Sequence, residues 1–183
     1  KHAVLQYDDA AAVLDMAGSS KTGEVSQRGA ACPDHLVHVK RQPLFVHWTP
    51  DEGVDALKTK LIDGIAAYEA AYRQYFEECM EPGDELRDPF PRVILIPGLG
   101  MVNTGKDAQN ADVSRQLYHR AIEVIGAAEA LGGFNSLTAT EAYDIEYWPL
   151  ELYKLKLAPA PRDFAGRVVL ITGGASGIGR ATA

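Results

Sequence analysis

Residues 93–107 read VILIPGLGMVNTGKD, and the fold turns on how that stretch is read. Val93 to Ile96 form an unbroken apolar run, the pattern of a strand buried on both faces. Gly98-Leu99-Gly100 follows, and from Gly100 the spacing is four residues to Gly105 and then Lys106. That is the spacing of a phosphate loop between strand and helix, except that Asp107 stands where a Ser or Thr hydroxyl would bind magnesium. The Asp107 charge opposes a neighbouring phosphate, whereas Asp is a preferred helix N-cap. The favoured reading is therefore strand, structural turn and capped helix. Weak anion capture by the amides of residues 98–106, built on Gly98, Gly100 and Lys106, stays open. Nucleotide hydrolysis is disfavoured, because no downstream strand ends in a metal-binding Asp.

On either side the chain reads as long amphipathic helices between short apolar runs. Thr49-Pro50-Asp51-Glu52 is a capping box with Pro at the first helical position. Val54, Leu57, Leu61, Ile65, Tyr68, Tyr72 and Cys79 then recur at helical spacing until EPGD at 81–84. A second helix is predicted from Asp107, with Val113, Leu117, Ala121, Val124, Ala128 and Leu131 on one face and Gly132-Gly133 as its stop. Thr138 and Glu141 form another capping box, and a helix runs on to Leu155 with a kink at Pro149. DDAAAVLDMAG at 8–18 reads as a helix capped by Asp8 or Asp9. HLVHVK at 35–40, PLFVHW at 43–48 and FNSL at 134–137 read as strands. Strands separated by long helices predict an α/β fold with a small, mainly parallel sheet flanked by long helices.

A formal charge of -7 argues against nucleic acid as a partner, since phosphate neutralisation needs a basic face. No apolar stretch approaches the ~20 residues of a membrane span, so no membrane partner is expected. Cys32 and Cys79 make no disulfide framework, and a cytoplasmic protein is expected. His35, His38 and His47 lack the company of carboxylates or thiolates that a metal site needs. On an extended segment His35 and His38 would point to opposite faces. Cys32-Pro33-Asp34-His35 reads as a turn cap. Tyr143, Tyr147, Trp148 and Tyr153 read as packing rather than a pocket lining.

The most specific motif closes the chain. APAPRD at 158–163 is a stiff linker, and GRVVLITGGASGIGRATA at 166–183 reads as strand, glycine turn and helix start. Its glycines would separately allow a tight turn, backbone approach to a pyrophosphate and close helix packing. This stretch resembles the cofactor loop of short-chain dehydrogenases. The resemblance implies that Thr172, Gly173, Ser176, Gly177, Ile178 and Gly179 bind a nicotinamide cofactor, NAD or NADP. Ser176 stands where a basic residue often marks a preference for NADP, which leans toward NAD. The resemblance implies a catalytic Tyr-x-x-x-Lys far downstream of this loop; Tyr153, followed by Lys154 and Lys156, has the wrong spacing and lies on the wrong side. No catalytic residue is therefore assigned.

CPDHLVHVKRQPLFV at 32–46, RDPFPRVILIPGLGMVNTGKD at 87–107 and EAYDIEYWPLELYKLK at 141–156 carry a second resemblance. Together they resemble the bifunctional rhamnulose-1-phosphate aldolase/alcohol dehydrogenases, in which a class II aldolase-like half is fused to a short-chain dehydrogenase. The resemblance implies an interior fragment. Residues 1–157 would be the end of the aldolase half, 158–166 a linker, and 167–183 the first strand and glycine loop of a truncated Rossmann domain. It further implies a divalent metal such as zinc, held upstream of Lys1. The intact enzyme would cleave rhamnulose 1-phosphate and oxidise lactaldehyde with NAD. Its ligands would be a sugar phosphate and an aldehyde, it could form a homo-oligomer, and the fragment alone would be inactive. The competing expectations are a non-catalytic scaffold and a small-anion-binding α/β module.

Overall fold

The computed structural model describes residues 3–157, 163 and 166–183. In chain order the elements are β1 (Val4–Asp8), α1 (Ala11–Gly18), α2 (Thr22–Val25), α3 (Pro33–His38) and β2 (Leu44–Phe45). A 3-10 turn, Pro50–Glu52, leads into α4 (Gly53–Cys79). Then come β3 (Val93–Ile96), β4 (Gly100–Gly105), α5 (Ala108–Ala130), α6 (Ala139–Glu146), α7 (Pro149–Lys156) and α8 (Gly177–Thr182).

The sheet has the order β1-β4-β3-β2. Only β2 and β3 run parallel, while β4 pairs antiparallel with both β3 and β1. The expected mainly parallel sheet is therefore corrected to a mixed one, and the reason lies in residues 97–105. The chain turns at Pro97-Gly98-Leu99, with Leu99 N–H bonded to Ile96 O at 3.1 Å, and returns beside β3 as a hairpin. No crossover helix is needed, so the strands are antiparallel. Gly100 is required here: its φ is +118°, and a Cβ would lie 2.4 Å from the Asp8 carbonyl on β1.

The sheet is packed on both faces near β3, as its unbroken apolar run predicts. Val93 and Leu95 face the α1–α5 side with Met101, Tyr118, Ala121, Ile122 and Ile125. Ile94 and Ile96 face the α4 side with Leu57, Leu61, Ile65 and Tyr68. Alternate residues of one strand thus serve two cores. On α5 the buried face is Ala111, Ser114, Tyr118, Ala121, Ile122 and Ile125, rotated from the predicted one; Val124 and Leu131 are exposed.

The caps form as read. The Thr49–Glu52 and Thr138–Glu141 boxes are both closed, and Asp107 accepts from Asn110 N–H at 2.7 Å. Other expectations change. HLVHVK is not a strand: residues 33–38 form α3, with Pro33 in its first turn and Cys32 at the N-cap position without a side-chain cap bond. FNSL lies outside regular structure. Asp8 and Asp9 do not cap α1, whose N-cap is Ala10, and VLQYD is instead edge strand β1. Pro149 does not kink a helix but starts α7 after α6 has ended. The expected linker lies largely outside the described residues.

Two glycines with opposite surroundings test this packing. A Cβ on Gly105 would lie 2.3 Å from the Ala111 nitrogen and 2.8 Å from the Asn110 carbonyl carbon, both backbone atoms of α5. Gly105→Ala should cost about 1–3 kcal/mol or more, because α5 must move off the sheet. Gly126, on the exposed side of α5, has open space around it, and Gly126→Ala should gain about 1 kcal/mol through helix propensity. Urea unfolding midpoints check both; equal shifts would contradict the described contact.

Candidate functional site

The stretch with phosphate-loop spacing, favoured in sequence as a structural turn, is mostly strand. Gly100–Gly105 is the interior strand β4, with its register fixed to β1 on one side and β3 on the other. Its pairing on both sides turns residues 100–105 to the sheet ladders, and Leu99 N–H is bonded to Ile96 O, so most of the amides expected to capture an anion are engaged in the fold. The strand-to-helix turn shrinks to Lys106 and Asp107, and Lys106 is exposed.

The glycine residues of 172–179 do come together. Gly173 and Gly177 have φ of +70° and +54°. A Cβ on Gly179 would lie 2.4 Å from the Gly173 carbonyl oxygen, so the helix start sits directly against the turn. Ser176 is the N-cap of α8 with no side-chain cap bond. The shape is one a pyrophosphate could approach. The expected preceding strand is corrected: residues 167–171 form none, and Val168, Val169 and Leu170 are 85%, 65% and 92% exposed. A strand exists only through a paired neighbour, and this segment has none among the described residues.

The histidines sit apart. His35 is buried in α3 with Nε2 unbonded, and burial pushes its imidazole below the usual range. His38 and His47 are exposed. Among the described residues no three His, Cys, Asp or Glu side chains are grouped to hold a metal. His119 Nε2 meets Asp8 Oδ2 at 2.7 Å, with Arg115 at 3.3 Å, which ties β1 to α5. Burial pushes Asp8 up, but hydrogen bonds from His119, the Ala10 amide and Arg115 outweigh it and hold the carboxyl below its ordinary value.

The most unusual chemistry lies where sequence reading assigned none. Glu146, the last residue of α6, is fully buried, and its Oε1 is shared by three donors. Lys40 Nζ lies at 3.1 Å, Arg87 Nη1 at 3.3 Å and the Tyr72 hydroxyl at 2.7 Å. Tyr72 OH is also 3.0 Å from Tyr147 OH, and Lys40 Nζ sits 3.8 Å from the centre of the Tyr72 ring. Glu146 Oε2 is buried without a partner. Lys40 is the sole non-glycine at positive φ among the described residues, at 78°, a conformation that costs about 1–2 kcal/mol. Burial pushes its amine down to about 8 against the opposing pull of Glu146. Burial, reinforced by the Glu146 charge, pushes the Tyr72 phenol up. A strained backbone holding a buried base beside a buried acid marks a candidate site. One signal was available in the sequence: Glu146 follows Ala142 and Tyr143 at helical spacing and so falls on the buried face.

Tyr143 and Tyr147 stack at 4.2 Å inside this region, as packing predicted, whereas Trp148 and Tyr153 are exposed. A cavity of about 450 Å³ lies between α4 and the sheet and includes Leu5, Leu61, Ile65, Phe90, Ile94 and Val102 in its lining.

Residues 1–155 match the family described as "Aldolase class II, second domain". The chain belongs to that family. It is also 50% identical, over 182 residues, to a Bacillus subtilis (strain 168) protein named "Uncharacterized oxidoreductase YuxG". That alignment covers 99% of this chain and 26% of the relative, so the chain spans about a quarter of that protein's length. No solved structure matches this chain. No helix among the described residues is long and apolar enough to cross a membrane.

Removing the Glu146 carboxylate tests the buried cluster. Glu146→Ala leaves Lys40 without its counter-charge and should cost about 3–5 kcal/mol in urea unfolding; a loss below about 1 kcal/mol would deny the pair any holding role. The Lys40 shift also has a sign. Between pH about 8 and 10.5 the unfolded chain holds a proton that the folded amine has released, so this group adds stability as pH rises. Wild type should therefore gain on Lys40→Met between pH 8 and 10, read as the difference in urea midpoints. A flat difference would contradict the burial of a titrating amine.

Proposed function

We propose that this chain joins the end of an aldolase-like half to the start of a short-chain dehydrogenase half in a bifunctional sugar enzyme. The observation that carries the reading is the turn at 172–179, where Gly179 abuts Gly173, in a chain whose residues 1–155 match an aldolase family. The oxidoreductase name of the Bacillus relative supports the second half.

In this reading Thr172, Gly173, Ser176, Gly177, Ile178 and Gly179 hold the pyrophosphate of NAD, which serves as the hydride acceptor when bound. The glycines would leave room for the phosphates, and the amides at the start of α8 would donate to them. The divalent metal of the aldolase half is held by residues upstream of Lys1. The intact, cytoplasmic enzyme cleaves rhamnulose 1-phosphate to dihydroxyacetone phosphate and lactaldehyde and oxidises the aldehyde. The 183-residue chain alone is silent in both reactions.

The intact polypeptide should release dihydroxyacetone phosphate from rhamnulose 1-phosphate and form NADH with lactaldehyde, whereas this chain should do neither. In the intact enzyme Gly179→Ala should raise the KM for NAD about tenfold or more, because its Cβ would lie 2.4 Å from the Gly173 carbonyl oxygen and force the turn open. The aldol cleavage should be untouched. Absence of NADH formation with any aldehyde tried, or NAD kinetics indifferent to that substitution, would remove the dehydrogenase reading.

A further inference from the structure

We propose that the pocket between α4 and the segment after α3 binds a small oxyanion, a phosphate or carboxylate group, through Arg41 and Tyr75. The cavity is about 150 Å³ and is lined by Arg41, Gln42, Tyr68, Ala71, Tyr72 and Tyr75. At about 30 Å³ per molecule of liquid water, that is room for about five waters or one small anion. The four α4 residues recur at helical spacing and form one wall.

Two donors there are buried and unmet. Arg41 Nε and the Tyr75 hydroxyl have no hydrogen-bond partner, although an unmade bond at a buried polar atom is costly. The other two phenols are committed: Tyr68 OH donates to the Gln42 carbonyl at 2.8 Å and Tyr72 OH to Glu146 Oε1 at 2.7 Å. The Arg41 guanidinium forms no ion pair with a described carboxylate, while burial and then the Glu146 charge outweigh its influence on the Tyr75 phenol and push that phenol up. No carboxylate lines the cavity. Beyond Tyr72, Glu146 already serves both Lys40 and Arg87. The lining thus carries one cation and no carboxylate in a protein of formal charge -7. A planar guanidinium with free donors selects carboxylate or phosphate oxygens, and the protonated Tyr75 supplies a second, neutral donor.

Isothermal titration calorimetry of the full chain with inorganic phosphate and, separately, with acetate tests the site. Saturable binding is expected. It should weaken about tenfold in Tyr75→Phe, the cost of one hydrogen bond to a charged group, and at least as much in Arg41→Lys. Tighter binding of phosphate would identify a phosphorylated ligand, and tighter binding of acetate a carboxylic acid. Heat from neither probe, which would leave the pocket to water, overturns the proposal, and so does binding that both variants keep unchanged. If Arg41→Lys fails to fold, Tyr75→Phe decides alone, since it removes one hydroxyl and no ring contact. The site is independent of the cofactor reading, and loss of either leaves the other standing.

Discussion

One buried carboxylate constrains how the helical side of this molecule can assemble. Glu146 lies at the end of α6 with no exposure to water, and its partners come from the segment after α3, from α4 and from the stretch before β3. Taking a carboxylate out of water costs several kcal/mol, offset only when its partners are all in place. A shift of α6 along α4 would separate Glu146 from Tyr72 and leave a bare charge. Lys40 shows the strength of that demand, since its backbone is held at a φ that L residues avoid. Arg87 completes the arrangement by donating to the Glu146 carbonyl at 3.3 Å and the Val37 carbonyl at 2.8 Å. Those carbonyls lie at or near the C-termini of α6 and α3, where a cation is favoured.

Features fixed within a few residues were legible in the sequence. The Thr49–Glu52 and Thr138–Glu141 boxes and the Asp107 cap each need only a helix start and a side chain three residues away, so spacing suffices. Both long helices follow from them. The α5 face was misjudged because counting apolar residues passed over Ser114 and Tyr118. Ser114 is buried since its hydroxyl donates to the Arg92 carbonyl at 3.1 Å and receives Asn103 Nδ2 at 3.4 Å. Residues 35–40 have the composition of a strand, yet Pro33 favours a first helical turn and α6 packs against the result. Local composition lost to tertiary contact there.

The Glu146 cluster was illegible for a related reason. Arg87, Tyr72 and Lys40 lie 59 to 106 positions from Glu146, and each alone is an ordinary surface residue type. Net charge concealed them as well. The formal value of -7 describes a mostly acidic exterior, while Lys40 and Arg87 turn inward to one carboxylate, with Arg41 beside them. An overall acidic balance therefore argues against a nucleic-acid face without arguing against a cationic interior pocket.

The two glycine stretches show why one motif misleads and another holds its shape. Both follow apolar runs, and both carry glycines at spacings suited to phosphate. In 98–105 the glycines serve strand packing: Gly100 clears the β1 carbonyl and Gly105 clears the first turn of α5. Strands on both sides claim the backbone, so the stretch extends despite a composition poor in β-formers. In 172–179 no strand among the described residues competes, and the turn closes on itself through the contact of Gly179 with Gly173. A turn made by residues six apart can form from local sequence alone, whereas a strand must wait for its partner. The same difference explains why residues 168–170 are exposed and outside regular structure while the turn beyond them is already shaped.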